Sequence, residues 1–358
     1  MVELTLETIT PVHVGTGHKY SGAEFVLKDK TLYRVSLDNL MKKLTLEQID
    51  DLTVLLEDRN FSLTDFLLYK DKKIALSKIK RYASGFDGPG TPREIAEHIK
   101  TNNRPYIPGS SIKGAIRTAI LYRQITDRNI EKLSRIFDMK YRQREGELQR
   151  FVDGFLSGAG NPSYSSILKF LQVADTEPTS SISVYTVKSL KSERNGWTWY
   201  KRRGREVVTF YETIDAGEEL GCELKTNYDA EIYGNLKLGE KGEYIDIEEL
   251  KISIHNFSSD LIEHELEFAG KYQIKFLYDF YADLKAKNEE DAPVMKLGQG
   301  SGFMATTIGL KLKKKPEVLE KVKRSLRGKT YPYEFPKTRK IVVEKDLPLG
   351  WLKLKISD

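Results

Sequence analysis

Cysteine is almost absent from this chain of 358 residues, which contains a single one, Cys222. One thiol excludes an internal disulfide and a zinc site built from cysteines. Cys222 lies in an alternating apolar stretch, so we expect a small core residue rather than a nucleophile. The five histidines show no metal-ligand spacing to each other or to carboxylates. We therefore predict no metal site and no cofactor.

The chain also lacks long apolar runs and a strong excess of one charge. No stretch approaches the roughly 18 apolar residues that a membrane span needs, and no basic region followed by an apolar core opens the sequence. We expect a cytoplasmic protein with no membrane contact. Lysine and arginine number 58 against 52 acids, which leaves a net charge of +6. A nucleic-acid partner must therefore be argued from the distribution of cations and not from their total.

Hydrophobic periodicity predicts a mixed fold. Alternation predicts strands over residues 2–8, 23–27, 31–35, 182–190, 206–214, 218–226 and 351–356. Helices are expected at 110–124, 127–139, 247–268, 271–287 and 316–327, and another should begin at Thr91-Pro92-Arg93-Glu94. Strands followed by helices, twice, indicate an α+β fold of two units, residues 1–180 and 181–358.

The helix after Pro108 is the most informative segment. Pro108-Gly109 predicts a turn, and Ser110 or Ser111 is expected to cap the helix. Apolar residues recur every four positions on one face, which predicts packing against a sheet. Gly114 costs roughly 1 kcal/mol inside a helix relative to alanine. Close approach of another backbone would explain it.

Lys113 and Arg117 lie on a different face of the same helix, because they are four residues apart. A helix N-terminus, two hydroxyls and two cations on one side can bind phosphate. The alternative is a solvated basic face on a packing helix. The residues alone leave these two interpretations about equally supported.

A glycine-rich loop follows Lys296, with Gly298, Gly300 and Gly302 at alternate positions and Ser301 as a possible helix cap. Glycines allow backbone amides to approach a phosphate closely. The loop has neither a dinucleotide fingerprint nor a P-loop pattern. A tight connection into a helix is the simpler alternative.

A second candidate surface covers residues 197–205, where aromatic and cationic residues alternate. Trp199 could stack on a base, while Lys201, Arg202 and Arg203 could contact phosphates. The same segment could instead contact a neighbouring subunit. The lysine-rich stretch from residue 311 to 329 ranks lower, because most such runs are solvated helix faces.

Histidine is the residue type to examine for catalysis. His13 and His18 flank a glycine turn that contains Gly15, and a histidine beside a phosphodiester can act as a general acid or base. The apolar surroundings of His13 favour a structural role or an RNA contact. We predict no catalytic residue.

Residues 107–117, Ile-Pro-Gly-Ser-Ser-Ile-Lys-Gly-Ala-Ile-Arg, resemble the helix signature of the RAMP superfamily. These proteins are ferredoxin-like (RRM-like) subunits of CRISPR effector complexes. Residues 10–17, 170–176 and 297–303 are similar to the family's first loop, aspartate-ending strand and glycine-rich loop. Residues 335–339 and 348–351 resemble the member that caps the guide 3′ end in type III-A (Csm) complexes.

The resemblance implies two ferredoxin-like units with helical insertions and a glycine-rich loop. It also implies that Ser110, Ser111, Lys113 and Arg117 lie against the backbone of a guide RNA (crRNA). The partners would be the 3′ region of that RNA, possibly target RNA, the repeated RAMP backbone subunit and the small subunit. Two alternatives stay open: a metal-independent endoribonuclease that processes guide precursors, and a protein-docking subunit that recruits a nuclease.

Overall fold

A computed structural model describes residues 2–58, 60–68, 74–227, 230–327 and 334–357. The strands in these ranges are β1 (Val2–Thr8), β2 (Gly15–Ser21), β3 (Phe25–Lys28), β4 (Thr31–Val35), β5 (Lys80–Phe86), β6 (Glu94–His98), β7 (Lys100–Thr101), β8 (Arg104–Pro105), β9 (Leu171–Val173), β10 (Ser183–Glu193), β11 (Gly196–Trp199), β12 (Lys201–Arg202), β13 (Arg205–Glu206), β14 (Val208–Thr213), β15 (Glu219–Thr226), β16 (Val294–Lys296), β17 (Thr338–Val342), β18 (Leu347–Pro348) and β19 (Trp351–Ser357).

The α-helices in the same ranges are α1 (Leu37–Met41), α2 (Leu46–Leu55), α3 (Leu63–Leu68), α4 (Leu76–Ile79), α5 (Gly109–Gln124), α6 (Asp127–Asp138), α7 (Tyr141–Leu156), α8 (Pro162–Ser165), α9 (Ala230–Asn235), α10 (Ile247–Lys271), α11 (Lys275–Lys287), α12 (Gly302–Thr306), α13 (Gly309–Lys313) and α14 (Pro316–Arg327). The α+β prediction is confirmed. In the part of the chain that is described, no helix combines the length and apolar character needed to cross a bilayer.

A five-stranded antiparallel sheet has the order β16-β19-β1-β15-β9. Strand alternation turns Leu4 and Leu6 of β1, with Leu220 and Leu224 of β15, toward one face, where they are buried. Cys222 also lies on that face, so the prediction of a core cysteine is confirmed. The period-two pattern of β1 sets which face is buried, and its central place comes from its pairing with β15 on one edge and β19 on the other.

Helices α5 and α10 cover the apolar face of this sheet. Ile112, Ile116 and Ile120 form the buried stripe of α5, as their spacing predicts, and they belong to the same core cluster as Leu4 and Leu261. α10 also packs against α5, α11 and β16. The stripe therefore fixes which face of α5 is left for other contacts, namely the one that carries Lys113 and Arg117.

The larger sheet has the path β2-β6-β14-β10-β5-β4-β3, with β11 and β17 also paired to β10. The hairpin of β3 and β4 turns at Asp29 and Lys30, both with positive φ, and it was predicted from the sequence. Helices α1 to α4 form an insertion with a core of its own. Thr45 and Gln48, at the spacing typical of a capping box, form one at the start of α2.

The predicted helix start at Thr91-Pro92-Arg93-Glu94 is wrong. Residues 94–98 form β6, which pairs with β2 and with β14. The local cap signals are outweighed by the ladder hydrogen bonds to two neighbouring strands, which a local pattern does not reveal. His98, expected on a helix, is therefore a buried strand residue. Residues 15–18, expected in a loop, belong to β2.

The start of α5 also differs from its prediction. Neither Ser110 nor Ser111 is the cap: the helix begins at Gly109, and the Gly109 amide donates to Asp175 Oδ1 at 2.8 Å. A Cβ at Gly109 would lie 2.1 Å from the Val173 carbonyl oxygen, so the close backbone approach expected at Gly114 occurs here. Gly114 is exposed, with open space where a Cβ would stand.

The division at residue 180 stays a prediction. Each of the two sheets takes strands from both sides of that position: β1 lies between β15 and β19, and β10 pairs with β5. If two ferredoxin-like units are present, each is therefore assembled from both parts of the chain.

Candidate nucleic-acid interface

Lys113 and Arg117 form a stripe along α5, here called the cationic stripe. Both side chains are half-buried, and within the described ranges neither forms an ion pair. Burial lowers the pKa of Lys113. Cations that are held partly out of water without a carboxylate partner are available to an external anion. This arrangement favours the binding interpretation of the stripe over the solvated one.

The N-terminus of α5 is a poorer phosphate site than the sequence indicates. Its first amide, that of Gly109, is already bonded to the carboxylate of Asp175. A fixed negative charge at this point repels a phosphate and uses the donor that would bind it. Ser110 is exposed and Ser111 half-buried in the first turn, next to the cationic stripe. The helix end is therefore a weaker candidate for phosphate binding than the two cations.

The first loop and the glycine loop (residues 298–302) lie against each other. The Gln299 amide donates to the His13 carbonyl oxygen at 2.8 Å, and a Cβ at Gly298 would lie 2.5 Å from that oxygen. Gly298, Gly300 and Gly302 all have positive φ. Glycine is thus required here by the turn and by the close approach. No described residue accepts a hydrogen bond from the amides of Gly298 and Gly300, which leaves both donors free.

The glycine loop leads directly into α12, which packs on α5. Phe303 and Thr306 of α12 line the same cavity as Arg117. Three segments that were singled out separately, the first loop, the glycine loop and the cationic stripe, are therefore joined along one side of the protein. Ser301 precedes α12, but its hydroxyl donates to the Gly298 carbonyl at 2.8 Å and does not cap the helix.

Three residues predicted to contact RNA are buried: His13, Lys296 and Ser301, the last of which is 9% exposed. His13 is 3% exposed, and its Nδ1–H donates to the Glu212 carbonyl oxygen at 2.6 Å. Lys296 is 7% exposed and lies over the Trp351 ring. These positions contradict direct contact of either side chain with a phosphate, because the core surrounds them. Burial lowers the pKa of His13 to about 4 and that of Lys296 to about 8.

The other residues of the first loop are at the surface. Gly15 is exposed, and a Cβ there would lie 2.7 Å from His13 Nε2, so glycine makes room for the buried ring. His18 is exposed, with Nδ1 at 3.2 Å from Glu97 Oε2. The two histidines thus occupy different environments and form no catalytic pair.

Glu212, whose carbonyl oxygen bonds to His13 of the first loop, has a buried carboxylate. Glu212 is fully buried and accepts hydrogen bonds from Tyr20, Tyr82, the His98 amide and Lys100. Burial, together with the charge of Glu212, raises the pKa of both tyrosines, so they stay protonated as donors. The sequence did not reveal this network, because its five residues come from four segments of the chain that are far apart in sequence.

Tyr211 and Lys340 were also missed, and they lie beside the glycine loop. Lys340 donates to the Tyr211 hydroxyl, and Gln299 Nε2 lies 3.3 Å from the same oxygen. The Tyr211 ring packs on His13 with 4.7 Å between centroids. Burial raises the pKa of Tyr211, but the hydrogen bond and charge of Lys340 outweigh it and lower the pKa overall. Neither residue belongs to a recognisable local motif.

The second candidate surface is a projecting hairpin, here called the hairpin arm (residues 196–206). Trp197 and Trp199 are half-buried at its base, 5.2 Å apart between centroids, and Lys188 Nζ lies over the Trp199 ring. Trp199 is therefore largely occupied by intramolecular packing.

The tip of the hairpin arm is fully exposed, with Lys201, Arg202 and Arg203 in solvent and the turn at Arg203-Gly204 at positive φ. Among the described residues, no hydrogen bond or ion pair joins the tip to the cationic stripe or the glycine loop. Three cations of the lysine-rich stretch are ion-paired: Lys313 to Glu267, Lys321 to Asp138 and Lys323 to Glu320, as expected of a solvated helix face. Lys329 lies outside the described residues.

The open face of the five-stranded sheet is unsuited to RNA. A groove there is lined by five carboxylates and by no lysine or arginine: Glu3, Asp175, Glu177, Glu219 and Glu223. Such a surface repels phosphates. Among the described residues, no three histidine, cysteine or carboxylate side chains come together as a metal site would require.

The model of the RAMP superfamily matches residues 5–292 of this chain. The chain belongs to the RAMP superfamily. It is 26% identical to the CRISPR system protein Csm5 of Methanocaldococcus jannaschii over 100% of this chain and 89% of that protein. It is 29% identical to Csm5 of Streptococcus thermophilus over 33% of this chain and 37% of that protein.

Solved structures agree on the fold of this RAMP chain. A chain of the Csm–crRNA–target RNA ternary complex of a type III-A CRISPR-Cas system superposes with a TM-score of 0.74 at 23% identity, covering 99% of this chain and 100% of that one. The crystal structure of T. onnurineus Csm5 gives a TM-score of 0.66 at 22% identity, covering 97% of this chain and 99% of that one. Both likenesses span almost the whole chain.

Proposed function

We propose that this chain is a crRNA-binding subunit of a type III-A CRISPR (Csm) effector complex. It caps the 3′ end of the guide and the end of the backbone filament, in antiviral defence. The likeness to Csm5 over the full length of the chain supports this role. The observation that carries the RNA-binding part is the cationic stripe, whose two side chains are half-buried and lack a carboxylate partner among the described residues.

The guide is held mainly through its phosphates. Lys113 and Arg117 supply the charge, and the glycine loop lies alongside with two free amides. Contacts of this kind do not read base identity, so binding tolerates any guide sequence. The partners are the 3′ region of crRNA, target RNA paired to it, the repeated backbone subunit and the small subunit. The exposed tip of the hairpin arm is available to either RNA or a neighbouring subunit.

The chain acts by binding and not as a nuclease. A general acid or base must reach its substrate, whereas the His13 side chain is 3% exposed. His18 is accessible but pairs with a carboxylate, Glu97. Incubation of the purified chain with labelled precursor RNA in EDTA is expected to leave the RNA intact. Cleavage that disappears in His13→Ala or His18→Ala would replace this part of the proposal with the endoribonuclease alternative.

The test of RNA binding compares two double variants in fluorescence anisotropy with a labelled crRNA. Lys113→Ala/Arg117→Ala removes the cationic stripe. Arg128→Ala/Lys132→Ala is the matched control, because it removes one arginine and one lysine, also four residues apart, from the exposed face of α6. Two lost phosphate contacts should reduce the slope of log Kd against log salt by about 1.4.

The loss should be the same for guides of unrelated sequence, and the control should bind like the wild type. Equal behaviour of the two double variants, or an affinity of the wild type that does not respond to salt, would reject phosphate binding by the stripe.

A further inference from the structure

Arg117 stands at the edge of an apolar cavity that the proposed function does not yet use. The cavity has a volume of about 390 Å³ and lies between α5, α6, α7, α12 and α14. That volume falls within the range of about 300–1,000 Å³ that is typical of small-ligand sites. Three of its lining residues, Thr306, Ser325 and Leu326, are exposed, so the cavity opens to solvent on their side. It is a formed pocket with a polar entrance.

The lining has the composition of a site for a flat, mostly apolar group. Twelve of the seventeen lining residues are apolar, and three of these are the phenylalanines Phe137, Phe151 and Phe303. The remaining five are one arginine and four hydroxyl residues. Aromatic rings offer stacking surfaces, and an arginine at the edge can stack on a base or bind its phosphate.

The hydroxyls supply hydrogen-bond acceptors. Thr118, Thr306 and Thr307 each donate their own proton to a backbone carbonyl four residues earlier, at 3.1, 2.9 and 2.6 Å. Thr307 Oγ1 also accepts from the Gly309 amide at 3.0 Å, so the acceptors that remain are mainly the oxygen lone pairs of Thr118 and Thr306. They match the amino or imino N–H groups on the edge of a nucleobase.

The cationic stripe leads into this cavity. Lys113 and Arg117 lie in the second and third turns of α5, and Leu121 and Ile125 continue the same i, i+4 series into the cavity wall. A strand whose phosphates follow the two cations along α5 therefore passes the entrance. We propose that the cavity accepts one nucleobase of the bound RNA, turned out of its stack, while Arg117 holds the adjoining phosphate. This inference rests on the proposed function and adds a base-binding site to it.

The charge at the entrance decides between occupants. An apolar side chain of a partner protein would also fill the cavity, but it would gain nothing from an unpaired arginine at the rim. A nucleotide suits both the charged rim and the apolar wall of the cavity, because its phosphate neutralises the arginine and its base covers the wall. The observed combination of charge and apolar surface favours the nucleotide.

The test blocks the entrance and removes the base in turn. Thr306→Phe places a ring at the mouth of the cavity. Thr53→Phe is the matched control: Thr53 is likewise exposed, on a helix, with its hydroxyl bonded to the carbonyl four residues earlier at 2.8 Å. Each protein is titrated with a single-stranded RNA and with an oligomer of the same length whose nucleotides all lack bases. The second probe keeps the phosphates but has no base at any position. It therefore cannot place a base in the cavity, whichever nucleotide lies beside it.

Thr306→Phe should weaken binding of the base-bearing RNA by about 5- to 150-fold, the equivalent of losing one stacked base, and should not change binding of the abasic oligomer. Thr53→Phe should change neither. If Thr306→Phe yields little folded protein, Ser325→Leu blocks the same entrance with less bulk. Folding of each variant is checked by urea unfolding.

Two results would overturn the base site and leave the proposed function standing. One is an unchanged affinity of Thr306→Phe for base-bearing RNA. If that variant loses binding to a protein partner instead, the cavity binds protein and not a base. The other is an equal loss for both probes. If the wild-type chain binds neither probe, the proposed function itself fails, and the two failures are thereby distinguished.

Discussion

The buried carboxylate of Glu212 is the position where a single atom change should cost the most stability. Oε1 accepts from the Tyr20 and Tyr82 hydroxyls, each at 2.7 Å, while Oε2 accepts from the His98 amide and from Lys100. In Glu212→Gln the amide NH₂ can face the two tyrosines, whose hydroxyls rotate to accept. The oxygen then keeps the His98 and Lys100 contacts. The substitution thus preserves shape and removes the charge.

The cost follows from what remains around Lys100. Its side chain is 7% exposed, and without Glu212 its nearest carboxylate is Glu97, at 3.7 Å. Removing one partner of a buried ion pair costs about 3–5 kcal/mol when the other charge is left uncompensated; Glu97 compensates Lys100 in part, so the lower end of that range applies. Glu212→Gln should lower the free energy of unfolding by about that amount. Adding Lys100→Met should recover part of the loss, since the stranded charge is then gone.

Urea unfolding followed by circular dichroism measures these differences, with Glu94→Gln as the control. Glu94 lies on β6 and pairs with Lys19 at 3.4 Å, but both side chains are more than half exposed. Such a pair contributes about 1 kcal/mol or less. If Glu212→Gln unfolds like Glu94→Gln, or if Lys100→Met deepens the loss in the double variant, the reasoning from a buried, paired charge is refuted.

Two further predictions concern glycine and histidine. Gly109→Ala should destabilise the protein by about 1–3 kcal/mol, because its Cβ would strike the Val173 carbonyl. Gly114→Ala should stabilise it by roughly 0.5–1 kcal/mol, because open space surrounds that position. If urea unfolding shows that Gly109→Ala stabilises and Gly114→Ala destabilises, the placement of α5 is contradicted. Burial holds the pKa of His13 at about 4, below its usual 6.5, so the unfolded state binds more protons between these values and stability falls as pH drops from 6.5 toward 4. Between pH 7 and pH 5 the contribution of His13 is about 2 kcal/mol; His13→Gln should flatten the pH dependence of unfolding and His18→Gln should not.

Local features were predictable to the extent that their causes are local. The apolar stripe of α5, the capping box of α2 and the β3–β4 hairpin depend on residues a few positions apart, and the structure has all three. The helix start at Thr91 had equally good local signals and is a strand. Residues 94–98 are a strand because they pair with β2 and β14, and those two strands are distant in sequence.

The candidate site shows the same limit. Lys113 and Arg117 were found because they lie in one helical motif, and their half-buried position leaves them available. His13 was expected to have a structural role or to contact RNA, and Lys296 was expected to contact RNA; the packing of other segments buries both. Tyr211 has no local signal at all and reaches the site through its strand.

The amino-acid sequence by itself determined the α+β class, the family signature around α5 and the face of that helix that packs inward, since periodicity and motif spacing are properties of short segments. Only the tertiary structure decided that Asp175 occupies the start of α5, that the first loop meets the glycine loop and that Arg117 borders a cavity. These contacts join residues tens to hundreds of positions apart. Their existence depends on sheet register and helix packing, which no local pattern encodes.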